Sequence, residues 1–139
     1  HDLRREVKEH LLQEQKQEFS VTLLSFGYKN GLPLDADLVL DVRFLINPFF
    51  TSGLRDKTGL DCEVQEYVLS DATTQVFLTK TKTYLDSLLT WYKKEGRSHL
   101  TVAIGCTGGQ HRSVTVAQAL KEAWQRQPQD RVSVVHRDL

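Results

Sequence analysis

The stretch Leu100-Thr101-Val102-Ala103-Ile104-Gly105-Cys106-Thr107-Gly108-Gly109-Gln110-His111-Arg112-Ser113 decides how this chain is read. Leu100 to Ile104 is an apolar run, as expected for a strand buried on both faces. From about His111 to Gln125 the pattern changes to helical spacing, with Val114, Ala117, Leu120, Ala123 and Trp124 facing inward. The segment therefore reads as strand, loop, helix. Gly105, Gly108 and Gly109 let backbone approach closely and permit positive φ. The first turn of the following helix presents unpaired N–H groups and partial positive charge. Thr107 and Ser113 add hydroxyls, Gln110 an amide, and His111 and Arg112 charge at the mouth. Together these make a site for a phosphate-like anion. The bland alternative is a glycine-rich turn with no ligand.

Five residues separate Cys106 from Arg112, and Ser113 follows. Cys-x5-Arg-Ser/Thr is the phosphate-loop pattern of tyrosine phosphatases, in which loop amides and the Arg wrap the phosphate and the Cys is a thiolate nucleophile. One alternative is thus an enzyme with Cys106 as nucleophile and Arg112 stabilising the transition state. Asp41, Asp56, Asp61 and Asp71 are available as acids, but nothing in the sequence sets one over the loop. The expectation is therefore no catalytic residue, with Cys106 lining a ligand.

Working outward, Phe19 to Phe26 and Asp37 to Leu45 read as strands, Asp61 to Leu69 as a short helix, and 72–94 as the longest helix. In that helix Val76, Leu85, Leu88, Leu89 and Tyr92 supply the apolar face, and Gly96 supplies the stop. Arg131 to Val135 is a last strand. Alternating strands and helices predict one α/β domain, its sheet largely parallel or mixed with flanking helices. Ligands of such sheets sit at the carboxyl ends of strands, where the signature loop falls. Residues 1–18 read as a linker or N-terminal helix with Leu3, Val7 and Leu11 four residues apart; 19–139 are the ligand-binding domain.

Charged positions elsewhere have two readings. Asp41 and Arg43 interrupt an apolar strand, and either bridge to each other or turn Arg43 into the anion pocket with Asp41 orienting it. Arg55 and Lys57, beside Gly59, either close over a ligand or are solvated. Lys29 and Asn30, between two glycines, and His136 and Arg137, after the last strand, are possible rim residues.

The 139 residues suit one core, and 18 basic against 18 acidic residues leave no net charge. That balance argues against a free-standing nucleic-acid binder, which normally carries a basic excess. The two cysteines show no metal spacing and no disulfide framework, so no metal is expected and a reducing cytoplasm fits. No apolar run approaches the roughly 18 residues that span a bilayer. The chain begins at His1 and holds no Met, so a fragment or processed product is expected.

Taken together, the motifs closely resemble the C-terminal domain of the RapZ family, bacterial nucleotide-binding proteins and RNase adaptors. The resemblance is carried by Ser25-Phe26-Gly27-Tyr28-Lys29 with Gly31, Asp35-Ala36-Asp37, Asp41 to Leu45 with Asn47-Pro48, Leu54-Arg55 with Thr58 to Asp61, Leu100 to Gly109 with His111 to Val114, and His136-Arg137 with Leu139. It implies a two-domain parent whose N-terminal half carries the Walker motif. ATP or GTP binding would lie there, with no cofactor in this domain. It also implies sensing of an amino-sugar phosphate, glucosamine-6-phosphate, self-association, and in some bacteria binding of small RNAs and a ribonuclease. Asn30 replaces a His of RNA-binding enterobacterial members, and their basic tail does not follow Leu139, so the RNA-adaptor alternative weakens.

The expectation is thus a cytoplasmic regulatory domain that binds a small phosphorylated metabolite. Its site would comprise Asp41, Arg43, Arg55 and the loop from Cys106 through Thr107, Gly108, Gly109, Gln110, His111 and Arg112 to Ser113.

Overall fold

The computed structural model describes residues 19–124 and 130–139; the expected helix over 2–17 lies outside them. The elements are β1 (Phe19–Gly27), β2 (Leu38–Asp41), α1 (Cys62–Leu69), α2 (Ala72–Lys94), β3 (His99–Cys106), α3 (Arg112–Trp124) and β4 (Asp130–His136). Single 3-10 turns occupy Tyr28–Asn30 and Pro48–Phe50. The four strands lie in the order β2-β3-β1-β4, and every pairing is parallel.

β1 and β3 are central, and β3 is buried on both faces from Val102 to Cys106. Phe19, Val21 and Leu23 of β1 and Leu100, Val102 and Ile104 of β3 are all buried in one cluster. Leu38 and Leu40 of β2 and Val132 and Val134 of β4 pack against it from the two edges. α3 lies against β1, β3 and β4 and also meets α1 and α2. Its inner face holds Val114, Ala117, Leu120 and Trp124, and the Trp124 indole donates to Asp86 of α2 at 2.8 Å. Asp71 caps α2 by accepting from Thr73 N at 3.2 Å, and Gly96, at φ 81°, follows its end as the sequence predicts.

Two expectations need correction. The second strand stops at Asp41 and does not continue to Leu45. There the Asp41 carboxylate accepts from Arg43 N at 2.9 Å, and Leu45 N turns back to Val42 O at 3.1 Å. A short acidic side chain offers the backbone a local partner in place of the ladder, and the chain turns. Val76 does not join the apolar face of α2 but is 53% exposed. The buried positions are Thr74, Thr81, Leu85 and Leu89, and Val76 falls about 200° round the helix from Thr74. Two threonines take places that hydropathy alone gives to valine.

Candidate functional site

The signature loop begins where the two central strands end, with Gly27 in register with Cys106. A Cβ on Gly27 would lie 2.6 Å from Gly108 O and 2.7 Å from Gly109 N, so only bare backbone fits there. Gly109 adopts φ 77°, a left-handed conformation that suits glycine. From the other side, Asp138 accepts from Gly27 N at 2.7 Å. Its carboxyl is held below the usual range, first by the Arg137 guanidinium. The loop is thus seated against β1 and the C-terminal residues.

Cys106 is buried, with Sγ 3.1 Å from Ser113 Oγ and accepting from Gly109 N–H at 3.3 Å. Arg112, expected at the mouth, is instead 5% exposed in the wall. Its Nη1 donates to the carbonyls of Arg43 at 2.6 Å and Leu45 at 3.1 Å, and Nη2 to Thr107 Oγ1 at 3.4 Å. Among the described residues it has no ion pair. Burial pulls its pKa below the ordinary arginine value, a direction that an anion beside it would oppose.

A cavity of about 500 Å³ opens over this loop. Cys106, Thr107, Gly108, Gln110, His111 and Arg112 line it; Gly109 and Ser113 sit behind, against the thiol. Arg55 lines it as well, its Nε donating to Phe49 O at 3.2 Å and its guanidinium 4.6 Å from the Phe49 ring centre. His111 Nε2 lies 3.2 Å from Arg55 O, so that nitrogen carries a proton. Lys29 stands at the rim, its backbone N–H bonded to Thr107 O at 3.2 Å. Lys57 also lines the cavity but is paired with Glu63 at 3.3 Å.

Several expected residues lie elsewhere. Asp41 and Arg43 are outside the cavity and hold each other, with Arg43 Nη2 2.7 Å from Asp41 Oδ2 and the guanidinium stacked 3.8 Å over Tyr28. That is the bridging alternative, and the Arg43 hydrogen bond holds Asp41 below the usual carboxylate pKa. His136 is taken up by Ser25 Oγ at 2.6 Å on Nδ1 and the Gln118 amide at 2.9 Å on Nε2. Arg137 spends its guanidinium on Asp138 and the Gly31 carbonyl. Asn30 does not line the cavity and bears on Asp138.

Asn47, Phe49, Phe50, Asp56 and Thr58 line the cavity without having been expected to. The signal for the aromatics was available: two phenylalanines after Asn47-Pro48 in a polar stretch, now 45% and 79% exposed. Their turn forms because Asn47 Oδ1 accepts from Phe49 N at 3.1 Å and Pro48 opens it. Of the four candidate acids only Asp56 lines the cavity; Asp61 closes the turn from Thr58, Asp71 caps α2 and Asp41 is paired. Among the described residues no three His, Cys, Asp or Glu side chains form a metal set, and no helix is long and apolar enough to cross a membrane.

The arrangement can hold an anion against loop amides and a buried cation, with an organic portion against the phenylalanines. The model of the RapZ C-terminal domain family matches residues 19–139. A nucleotide-binding protein of Bacillus licheniformis is 47% identical over 138 residues, covering 99% of this chain and 46% of the relative. One from Sorangium cellulosum is 48% identical over 141 residues, 100% of this chain and 40% of its own length. One from Heliobacterium modesticaldum is 54% identical over 122 residues, 88% and 40% of the two chains. The chain spans less than half the length of these relatives. The match runs from the start of β1 to the last residue, and the chain belongs to the RapZ C-terminal domain family.

Proposed function

We propose that this domain is a regulatory binding module for a small phosphorylated metabolite, an amino-sugar phosphate such as glucosamine-6-phosphate, in a cytoplasmic nucleotide-binding protein. The observation that carries this reading is Arg112, a buried guanidinium without an ion pair among the described residues, in the wall of a cavity that the loop also lines. A desolvated guanidinium is costly when the carboxylate that acts on it, Asp41, is already paired with Arg43, and a ligand anion supplies a direct counter-charge. The phosphate lies along the Thr107–His111 backbone with Arg112 behind it and Lys29 and Arg55 at the sides. The volume of about 500 Å³ leaves room for the sugar beside Phe49 and Phe50. Calorimetric titration with glucosamine-6-phosphate, inorganic phosphate and glucosamine tests this reading. Binding tightens in the order glucosamine, phosphate, sugar phosphate; equal or absent binding of all three contradicts it.

A second reading, a thiol phosphatase, is favoured by one observation: Cys106 Sγ accepts from the loop amide of Gly109. It is the weaker reading because the Cys106 side chain it needs as nucleophile is 2% exposed, with Sγ against Ser113 Oγ at 3.1 Å. Turnover of p-nitrophenyl phosphate that disappears in Cys106→Ser, with phosphate still bound, decides for the enzyme. Nucleotide binding by ATP or GTP, self-association and any contact with small RNA or a ribonuclease are proposed for the whole parent protein.

A further inference from the structure

We propose that Arg112 makes the Val42–Leu45 turn a sensor of the cavity. An anion at the loop fixes the guanidinium, and the guanidinium fixes the turn that carries Phe44. The inference rests on the anion site proposed above and concerns what its occupancy does.

The same planar group touches both parts. Nη1 holds the Arg43 and Leu45 carbonyls at 2.6 and 3.1 Å, and Nη2 reaches the loop hydroxyl of Thr107 at 3.4 Å. The last contact is long for a hydrogen bond, so the loop side of the fork is weakly held without ligand. A phosphate there forms shorter, charge-assisted bonds, and the planar guanidinium, fixed on its loop side, then keeps Nη1 against the two carbonyls of the turn.

The turn is suited to respond. It lies past the end of an edge strand of four residues. Its main-chain ties are Val42 N to Gly105 O at 2.9 Å and Leu45 N to Val42 O at 3.1 Å. Val42 and Leu45 are anchored in the core, so the part free to respond is the exposed Arg43–Phe44 tip between them. On its outer side Phe44 is 59% exposed and meets Phe77 edge-on at 5.4 Å, so a change in the turn alters an apolar surface spot away from the cavity. Gly105 joins the two regions directly, since its carbonyl receives Val42 and the loop starts at its next residue.

The test is amide hydrogen exchange of this chain by NMR, with inorganic phosphate and glucosamine-6-phosphate as probes, each raised until the Gly108 and Gly109 shifts saturate. Exchange at Val42 and Leu45 slows by about fivefold or more beyond any slowing at Leu23 and Leu24 of β1, which is paired on both sides and reports global stabilisation. In Arg112→Lys, Gly108 and Gly109 still shift at higher probe concentration while the extra slowing is lost. Saturating shifts in the wild-type chain with Val42 and Leu45 slowed no more than Leu23 and Leu24 of β1 overturn the coupling and leave the anion site standing. Absence of any shift at Gly108 and Gly109 overturns the site, and the coupling with it.

Discussion

The guanidinium of Arg112 donates to the main-chain carbonyl of Arg43 at 2.6 Å, while the side chain of Arg43 turns away to Asp41. The two arginines flank the same turn but do different work. One is buried in the cavity wall, and the other is on the surface outside it.

Arg112→Ala is therefore expected to act twice. It leaves two backbone acceptors without their donor, a loss of about 1–3 kcal/mol, partly offset by removal of a buried charge. It also weakens phosphate binding by about tenfold or more, the usual worth of a charge-assisted hydrogen bond. Chemical denaturation and calorimetry on one preparation read both effects.

Arg43→Ala is expected to change ligand affinity by less than about threefold, because a solvent-exposed pair is screened and lies outside the cavity. Lys29→Ala, at the rim, should lower affinity more. The reverse ranking in side-by-side titrations would restore Arg43 to the pocket.

Gly27→Ala leaves every charge in place and should still abolish binding. The new methyl meets Gly108 O at 2.6 Å and Gly109 N at 2.7 Å, both backbone atoms that cannot rotate away. Overpacking of this kind costs about 1–3 kcal/mol and displaces the loop. A variant that keeps wild-type affinity shows that the loop tolerates movement.

The sequence made the central strands and the loop legible because both depend on local pattern. An apolar run gives β3, and glycines at fixed offsets give the turn. It was less informative where a side chain chooses among partners. The Asp41 carboxylate ended β2 early by bonding Arg43, and Arg112 turned its fork onto carbonyls from a turn 67 and 69 residues distant. Neither choice leaves a periodic trace. The aromatic wall at Phe49 and Phe50 went unread for the same reason. Apolar residues in a loop carry no period, and only the fold shows that they face the cavity.

Stability should fall as pH drops below the ordinary histidine value of 6.5 because of His136. Burial pushes its pKa down, and the Gln118 amide nitrogen at Nε2 leaves that nitrogen as acceptor, with the ring proton donated from Nδ1 to Ser25. The unfolded chain takes up a proton that the native ring refuses, so stability is full above 6.5 and is lost between there and the depressed native value. Asp41 and Asp138 have pKa values lowered from 3.8, so their losses fall at more acid pH. Thermal melts at pH 7.5 and 5.5 should differ less for His136→Gln than for wild type. An equal difference assigns the effect to another group.

The claim at the centre is that the loop after Cys106 is an anion cradle. Its most direct measurement is a backbone amide titration of this chain with glucosamine-6-phosphate. The largest shifts should fall on Thr107 through His111, saturate, and be lost in Arg112→Ala at the same ligand concentration. A titration in which those five amides stay fixed while the protein is folded contradicts the claim.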